Sequence, residues 1–127
     1  KRVDEVLVVF KAYVTRVGEG PLRSEVSNEE ANRLGWAEFG SVTGRQRRAS
    51  PFNMDLAKKA ISLNSATHMA ITKLDVAFPE TSHITEYANL QNEPRKFIES
   101  IEAETGLTAI LIGTGPDVDD VIDRRKP

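Results

Sequence analysis

Val6-Leu7-Val8-Val9-Phe10 is a short apolar run rich in β-branched residues, and a second such run is His68-Met69-Ala70-Ile71-Thr72. The first carries apolar residues on both faces, as a strand buried on both sides requires, so we expect it to be a central strand. Residues 108–112 predict a final strand. Helical patterns separate these runs, and strands alternating with helices indicate an α/β fold with a mainly parallel sheet and flanking helices.

Three helices are predicted between the strands. Ser27-Asn28-Glu29-Glu30 fits a capping box, so a short helix begins there and ends at Gly35. Ser50 followed by Pro51 predicts the start of a second helix. Its buried stripe would be formed by Phe52, Leu56, Ala60 and Ile61.

The third predicted helix starts near Asn92 and ends at Gly106. Its inward-facing residues would be Phe97, Ile98 and Ile101. The segment before it, residues 79–91, is expected to be irregular. No internal repeat is visible.

Composition limits the function classes. The chain has 127 residues, enough for one domain at most, and its net charge of −2 argues against a protein that coats nucleic acid. It has no cysteine, so disulfides and thiolate metal sites are excluded. No apolar run is long enough to cross a bilayer, and we expect a cytoplasmic protein. Residues 1–5 run directly into a strand, so we expect that upstream sequence is missing.

An arginine cluster occupies Ser41-Val42-Thr43-Gly44-Arg45-Gln46-Arg47-Arg48. Gly44 permits close approach of a ligand to the backbone, and Thr43 offers a hydroxyl. The guanidinium groups of Arg45 and Arg47 suit two-point contacts to carboxylate or phosphate. The cluster therefore predicts an anionic substrate, and the alternative is a solvated surface face.

The segment Thr72-Lys73-Leu74-Asp75 ends the second strand. The Asp75 carboxylate can accept both the ring N–H and the exocyclic amine of guanine, while the stem of Lys73 can lie along the base. Gly113-Thr114-Gly115-Pro116 follows the final strand and offers backbone groups and a hydroxyl to a base. Open α/β sheets bind ligands at such strand ends. The alternative is two ordinary turns.

Neither histidine has metal-ligand spacing. His68 and His83 lack a second histidine or a carboxylate at the required distance in sequence, so no metal is assigned to them.

The order and spacing of these motifs resemble the adenylosuccinate synthetase family, GTP-dependent ligases that join L-aspartate to inosine monophosphate. The resemblance covers nearly the whole chain. It is carried by residues 11–21 (Lys-Ala-Tyr-Val-Thr-Arg-Val-Gly-Glu-Gly-Pro), 38–48, 72–76 and 114–117. It implies that residues 1–127 are the carboxy-terminal portion of a P-loop-NTPase-like synthetase fold. The family's phosphate loop, catalytic aspartate and histidine, and Mg²⁺ ligands lie in an amino-terminal region that this chain lacks.

The resemblance also implies site residues. Residues 41–47 match the family's aspartate loop, in which Arg45 would also touch inosine monophosphate and Arg47 would reach the GTP side. The GTP-contacting residues would be Lys73, Leu74, Asp75, Gly113, Thr114 and Gly115. The chain departs from residues commonly seen in the family at Val42, Gln46 and Gly113. No catalytic group and no metal ligand fall within the chain.

The implied parent is a cytoplasmic homodimer of AMP biosynthesis that uses GTP and Mg²⁺ and binds neither nucleic acid nor membrane. The 127-residue chain alone is expected to be inactive. An alternative is a non-enzymatic guanine-nucleotide-binding or interaction domain built on Lys73 and Asp75. Nucleic-acid contact through Arg45, Arg47 and Arg48 is disfavoured, because no aromatic residues interleave with the basic ones.

Overall fold

A computed structural model describes residues 4–125. This part of the chain contains six strands, four α-helices and two short 3-10 turns. In chain order they are β1 (Leu7–Lys11), β2 (Tyr13–Arg16), α1 (Asn28–Leu34), β3 (Arg48–Pro51), α2 (Met54–Asn64), β4 (His68–Thr72), α3 (Leu74–Ala77), the 3-10 turns Pro79–Thr81 and Tyr87–Asn89, α4 (Asn92–Thr105), β5 (Ala109–Gly113) and β6 (Val121–Asp123).

Four of the strands form one sheet in the order β1-β4-β5-β6. β4 runs parallel to both β1 and β5, while β6 is antiparallel to β5. The remaining strands, β2 and β3, form a separate antiparallel pair. The predicted α/β class with a mainly parallel sheet and flanking helices is confirmed.

The position predicted for β1 is wrong. Within residues 4–125, β1 pairs only with β4 and lies at the edge of the sheet. Val8 and Phe10 pack against the core, whereas Leu7 and Val9 on the opposite face are 45% and 58% exposed. Apolar residues on both faces of a strand indicate that both faces can be buried. They do not indicate how many other strands pair with it.

The predicted start of α2 is also wrong. Ser50 and Pro51 belong to β3, where Pro51 lies opposite Tyr13 at the end of the pair, a position that tolerates a residue without an N–H. The helix begins at Met54, and the Asn53 side chain caps it by accepting the N–H of Leu56 at 3.1 Å. The buried face of the helix includes Ala57, which the prediction left out.

Ala60 and Ile61 are partly buried, as predicted. Ala57 is buried in the middle of α2, while Leu56 is 52% exposed instead of buried. The observed stripe therefore differs from the predicted one at Leu56.

The other two helices are confirmed. Ser27 caps α1 by accepting the N–H of Glu30 at 3.1 Å, and Gly35 ends it with a φ of 77°. In α4, Ile98 and Ile101 are fully buried and Gly106 ends the helix in the left-handed conformation.

Residues 79–91 lack long elements, as predicted, yet they are packed, because Thr81 and Leu90 are buried. The strand predicted at residues 108–112 is present as β5, but it is not the last. β6 follows it and pairs with β5 through only three residues.

The core lies between the sheet and α4. Its buried side chains include Met69, Ile71, Leu74, Ile98, Ile101 and Ile112. Burying one such side chain contributes about 1.5–3 kcal/mol, so the cluster holds the ends of β4 and β5 firmly. No helix among residues 4–125 has the length and hydropathy needed to cross a membrane.

Candidate functional site

The carboxyl ends of β4 and β5 lie side by side. These strands are parallel neighbours, so the segments that leave them, beginning at Lys73 and Thr114, emerge at the same edge of the sheet. A Cβ atom placed on Gly113 would lie 3.5 Å from Thr72 Cα and 3.7 Å from the Lys73 nitrogen. The structure therefore brings together the two segments that the sequence singled out.

The first segment turns sharply at Lys73. This residue is in the left-handed conformation, with a φ of 59°, and it precedes the short helix α3. Such a conformation is uncommon for a residue with a side chain, and it redirects the chain at the strand end. Lys73 is exposed, Asp75 is half-buried, and the Leu74 side chain is fully buried. Leu74 can therefore contact a ligand only through its backbone.

Asp75 is available for a ligand. Its carboxylate makes no hydrogen bond or ion pair with any side chain or backbone group among residues 4–125. A half-buried carboxylate without a partner favours a ligand that brings its own donors.

The segment after β5 is held in place by hydrogen bonds of Thr114 to other parts of the chain. Thr114 is buried, its hydroxyl donates to the Ile84 carbonyl at 2.7 Å, and its N–H donates to the Asp120 carbonyl at 2.9 Å. Its own carbonyl accepts the N–H of His83 at 3.0 Å. The Thr114 hydroxyl thus serves the fold, which differs from the prediction that it would be offered to a base.

A histidine–carboxylate pair lies beside this turn. His83 Nδ1 is 2.8 Å from Asp120 Oδ1. The hydrogen bond from His83 and the positive charge beside it hold the pKa of Asp120 below its ordinary value, and the same contact raises the pKa of His83. Sequence reasoning missed this pair, because the two residues are 37 positions apart and no local pattern links them.

The arginine cluster forms a hairpin. Phe39 and Gln46 form an antiparallel bridge, the Gly40 N–H donates to the Arg45 carbonyl at 2.8 Å, and the Arg47 N–H donates to the Glu38 carbonyl at 2.6 Å. Gly44 has a φ of 69°, a conformation that favours glycine. Residues 41–45 at the tip are exposed.

The side chains of this hairpin divide by role. Arg45 is exposed, and its guanidinium has no hydrogen-bond partner among residues 4–125. Arg47 is half-buried, and its Nε is buried without a partner. Gln46 instead donates to the Asn28 carbonyl at 3.3 Å, and Val42 is 95% exposed. Arg45 and Arg47 are therefore the two free cations of the described hairpin.

Arg48, unlike Arg45 and Arg47, forms hydrogen bonds within the fold. Its guanidinium holds the Glu25 carboxylate through two hydrogen bonds of 2.9 and 2.7 Å, and it donates to the Gly18 carbonyl at 2.9 Å. These bonds lower the pKa of Glu25. Arg48 thus joins β3 to the segments around Gly18 and Glu25 and is not a ligand group of the hairpin.

A cleft of about 340 Å³ separates the hairpin from the end of β2. Its walls come from residues 16–19 on one side and from Gly40, Thr43 and residues 45–48 on the other. Both free arginines line it, so it is suited to an anionic ligand.

A partly buried polar cluster ties the hairpin to β1 and β2. Glu38 accepts hydrogen bonds from the Tyr13 hydroxyl at 2.6 Å and from Lys11 Nζ at 3.0 Å. Burial raises the pKa of Glu38, but these two bonds and the charges of Lys11 and Lys73 together hold it below its ordinary value. Tyr13 itself is buried and stacks on Trp36, with ring centroids 5.4 Å apart.

This cluster connects the two predicted sites. Lys11 is aligned with Thr72 across the β1–β4 pair, so the Glu38 carboxylate is held at the same edge as Lys73. The sequence indicated only that Glu38 leads into the hairpin. Among residues 4–125, no group of three or more histidine, aspartate or glutamate side chains is placed to hold a metal ion.

The chain thus has an α/β fold in which the segments that leave the parallel strands β4 and β5 meet at one edge of the sheet, the edge at which open α/β proteins bind their ligands. The family model for adenylosuccinate synthetase matches residues 1–79, and the chain belongs to that family.

Curated relatives match almost the entire chain. It is 48% identical to the adenylosuccinate synthetase of Methanosphaera stadtmanae and 50% identical to that of Methanococcus maripaludis strain C6, over 125 residues in each case. The match covers 98% of this chain but 37% of each relative, so the chain spans little more than a third of their length.

Two solved structures share the fold. The fully ligated adenylosuccinate synthetase from Plasmodium falciparum matches 94% of this chain with a TM-score of 0.78 and 23% identity, over 40% of its own length. The succinoaminodeoxyadenylate synthetase of cyanophage S-2L, solved with dGMP and dATP, matches 91% of this chain and 32% of its own, with a TM-score of 0.63 and 22% identity.

Proposed function

We propose that the parent protein joins L-aspartate to inosine monophosphate at the expense of GTP, forming adenylosuccinate. Residues 1–127 would be the carboxy-terminal portion of its single synthetase domain. In this proposal the chain holds and orients the substrates, while the general acid and base come from elsewhere in the parent. Family membership and the span of the relatives support this proposal.

One observation carries the nucleotide part of the proposal: the contact between Gly113 and the Thr72–Lys73 backbone, which places two strand-end segments around one space. Asp75 would accept the ring N–H and the exocyclic amine of guanine, a donor pair that adenine lacks. The Lys73 stem would lie along the base. The backbones of Leu74, Gly113 and Gly115 would complete the site, together with the second lone pair of the Thr114 carbonyl.

The hairpin would bind the anionic substrates. Arg45 would hold aspartate carboxylate and touch inosine monophosphate, and Arg47 would reach the GTP side. Ser41, Val42, Thr43, Gly44 and Gln46 would shape the aspartate loop around them. The buried, unpartnered Nε of Arg47 supports this role, because a buried N–H is costly unless a ligand accepts from it.

In the proposed reaction the 6-oxygen of inosine monophosphate takes the γ-phosphoryl group of GTP, and the aspartate amine then displaces that phosphate. Arg45 and Arg47 would act by orientation and by fixed positive charge near the transferring phosphoryl group and the carboxylates. Each of these effects can lower a barrier by several kcal/mol.

Among the described residues, no three carboxylate or histidine side chains group together as ligands for a metal ion. In this proposal the protein ligands of Mg²⁺ lie in the part of the parent outside this chain. The parent is proposed to be a cytoplasmic homodimer that binds neither nucleic acid nor membrane.

The test is product formation by the full-length parent with inosine monophosphate, aspartate, GTP and Mg²⁺. Adenylosuccinate is expected, and its absence at saturating substrates would refute the proposal. The 127-residue chain alone is expected to make no product and to bind GDP weakly. Tight GDP binding by this chain, combined with an inactive parent, would instead favour a guanine-nucleotide-binding module.

A further inference from the structure

Asp120 packs against the turn that follows β5 and accepts hydrogen bonds from it. It is only 9% exposed, its carbonyl accepts the Thr114 N–H at 2.9 Å, and its Oδ2 accepts the Asp117 N–H at 3.2 Å. A Cβ atom placed on Gly115 would clash with the same Oδ2. The carboxylate therefore packs directly against Gly115 and fixes the position of this residue in the turn.

His83 holds the turn from the other side. Its backbone N–H donates to the Thr114 carbonyl at 3.0 Å, and its Nδ1 lies 2.8 Å from Asp120 Oδ1. Both backbone polar groups of Thr114 are thus bound to this pair. His83 has a φ of 64°, so the chain adopts an uncommon conformation to reach this position.

The His83–Asp120 pair also links the turn after β5 to the segment that contains Asp75. These two segments form the candidate base site. His83 follows α3, whose first turn contains Asp75, and the negative charge of Asp75 acts on His83. The charged groups that face His83 are Asp120, Asp117 and Asp75, all of them carboxylates. A nearly buried carboxylate such as Asp120 needs a cationic or donating partner, and His83 supplies it.

From this geometry we propose that His83 and Asp120 are positioning residues that fix the Gly113–Asp117 turn relative to Asp75, and that they thereby set the selectivity for guanine over hypoxanthine. The inference rests on the proposed function, since it concerns the base of the same nucleotide. Guanine differs from hypoxanthine by one exocyclic amine. A site discriminates against a base that lacks a donor only when its acceptors stay where that donor would be.

The experiment compares GTP with inosine triphosphate in the full-length parent, as the ratio of kcat/KM for the two nucleotides. His83→Ala and Asp120→Asn are expected to lower this ratio by about tenfold, with the KM for aspartate unchanged. Asp119→Asn is the matched control, because Asp119 is an exposed neighbour without a hydrogen-bond partner among the described residues. It is expected to keep the wild-type ratio.

His83→Asn provides a rescue. Asparagine tolerates the left-handed conformation and keeps a neutral N–H donor for Asp120 but carries no charge, so its ratio is expected to lie above that of His83→Ala and to equal the value that the wild type reaches above the pKa of His83. The pH dependence is a second readout. The pKa of His83 is raised in the folded protein, so the charged pair is present at low pH and is lost as the pH rises through that pKa.

The wild-type ratio should therefore fall as the pH increases, whereas that of His83→Asn should not change. A phosphate titration common to both nucleotides cancels in the ratio. If the parent is active and His83→Ala and Asp120→Asn keep the wild-type ratio, the inference is wrong while the proposed function stands.

Two further measurements cover the cases in which a variant does not fold or the parent is inactive. If the alanine variant fails to fold, the wild-type and His83→Asn pH profiles decide, and two flat profiles overturn the inference. If the parent makes no adenylosuccinate, calorimetric binding of GDP and inosine diphosphate replaces kinetics. A preference for GDP that is lost in Asp120→Asn supports the inference, and equal binding of both by the wild type refutes it.

Discussion

The hydroxyl of Tyr13 donates a 2.6 Å hydrogen bond to Glu38 Oε2. Tyr13 begins β2 and Glu38 begins the arginine hairpin, so one bond between a buried and a half-buried side chain fixes the hairpin to the β2–β3 pair. Lys11 donates to the same carboxylate from the end of β1. The position of Arg45 and Arg47 relative to Lys73 therefore depends on this contact.

Tyr13→Phe removes the donor and keeps the ring that stacks on Trp36. Hydrogen bonds to charged groups contribute about 1.5–3 kcal/mol, and we expect a loss of that size in the free energy of unfolding of the parent, measured in urea. Tyr87→Phe is the control, because the Tyr87 hydroxyl has no hydrogen bond among residues 4–125. Equal losses from both variants would show that the Tyr13–Glu38 bond contributes nothing specific.

Asp75→Asn replaces one acceptor oxygen with a donor. If Asp75 reads guanine, GTP should bind more weakly by on the order of 1–3 kcal/mol, and xanthosine triphosphate should become the better substrate. Steady-state kinetics of the parent with both nucleotides measure this. Unchanged dependence on GTP would mean that Asp75 is only a turn residue.

Arg45→Leu should remove a charge-assisted contact to a substrate carboxylate. The loss of about 1.5–3 kcal/mol per ionic hydrogen bond should raise the KM for aspartate or lower turnover roughly tenfold or more. Arg48→Leu would be an unsuitable control, since Arg48 binds Glu25 and the Gly18 carbonyl.

Lys96→Leu on α4 is the better comparison for Arg45. It removes the same charge from an exposed side chain with no hydrogen bond or ion pair among the described residues, so kinetics and melting temperature should not change. Small and equal kinetic effects from the two variants would favour the reading that Arg45 only faces solvent.

Arg48→Leu should instead lower the melting temperature, and the difference from the wild type should depend on pH. Arg48 depresses the pKa of Glu25, so the pair stabilises the fold above the ordinary glutamate pKa and is lost as the pH falls through the lowered value. The difference should be full at neutral pH and shrink between about pH 5 and pH 3.

Arg33→Leu gives the comparison for Arg48. Arg33 pairs with Glu30 one helical turn away and is largely exposed, so its removal should change the melting temperature less. A difference between Arg48→Leu and wild type that persists undiminished at pH 3 would point to lost packing in place of the ion pair.

Local signals predicted the elements that are locally determined. The N-cap at Ser27 and the glycine at position 106 define helix ends through contacts within a few residues, and both helix ends were confirmed. Ser50 and Pro51 suggested a helix start, but pairing with β2 outweighs that preference. The edge position of β1 and the existence of β6 depend on strand neighbours, which periodicity does not report.

The candidate site divides in the same way. The adjacency of Lys73 and Gly113 follows from parallel strands whose ends meet, so the sequence could predict it. The partners of Arg48 and Asp120 lie 23 and 37 residues away, and only the folded chain brings them together. The Asp75 and Arg45 roles remain predictions.

Among the described residues one edge of β1 is unpaired, and this affects how the isolated chain behaves in solution. Its five residues pair with β4 on one side only among the described residues, and Val9 and Leu7 are exposed on one face. A free, apolar strand edge is a template for strand addition by another molecule. The isolated chain should therefore self-associate as its concentration rises, and a lysine in place of Val9 is the substitution that should keep it dispersed.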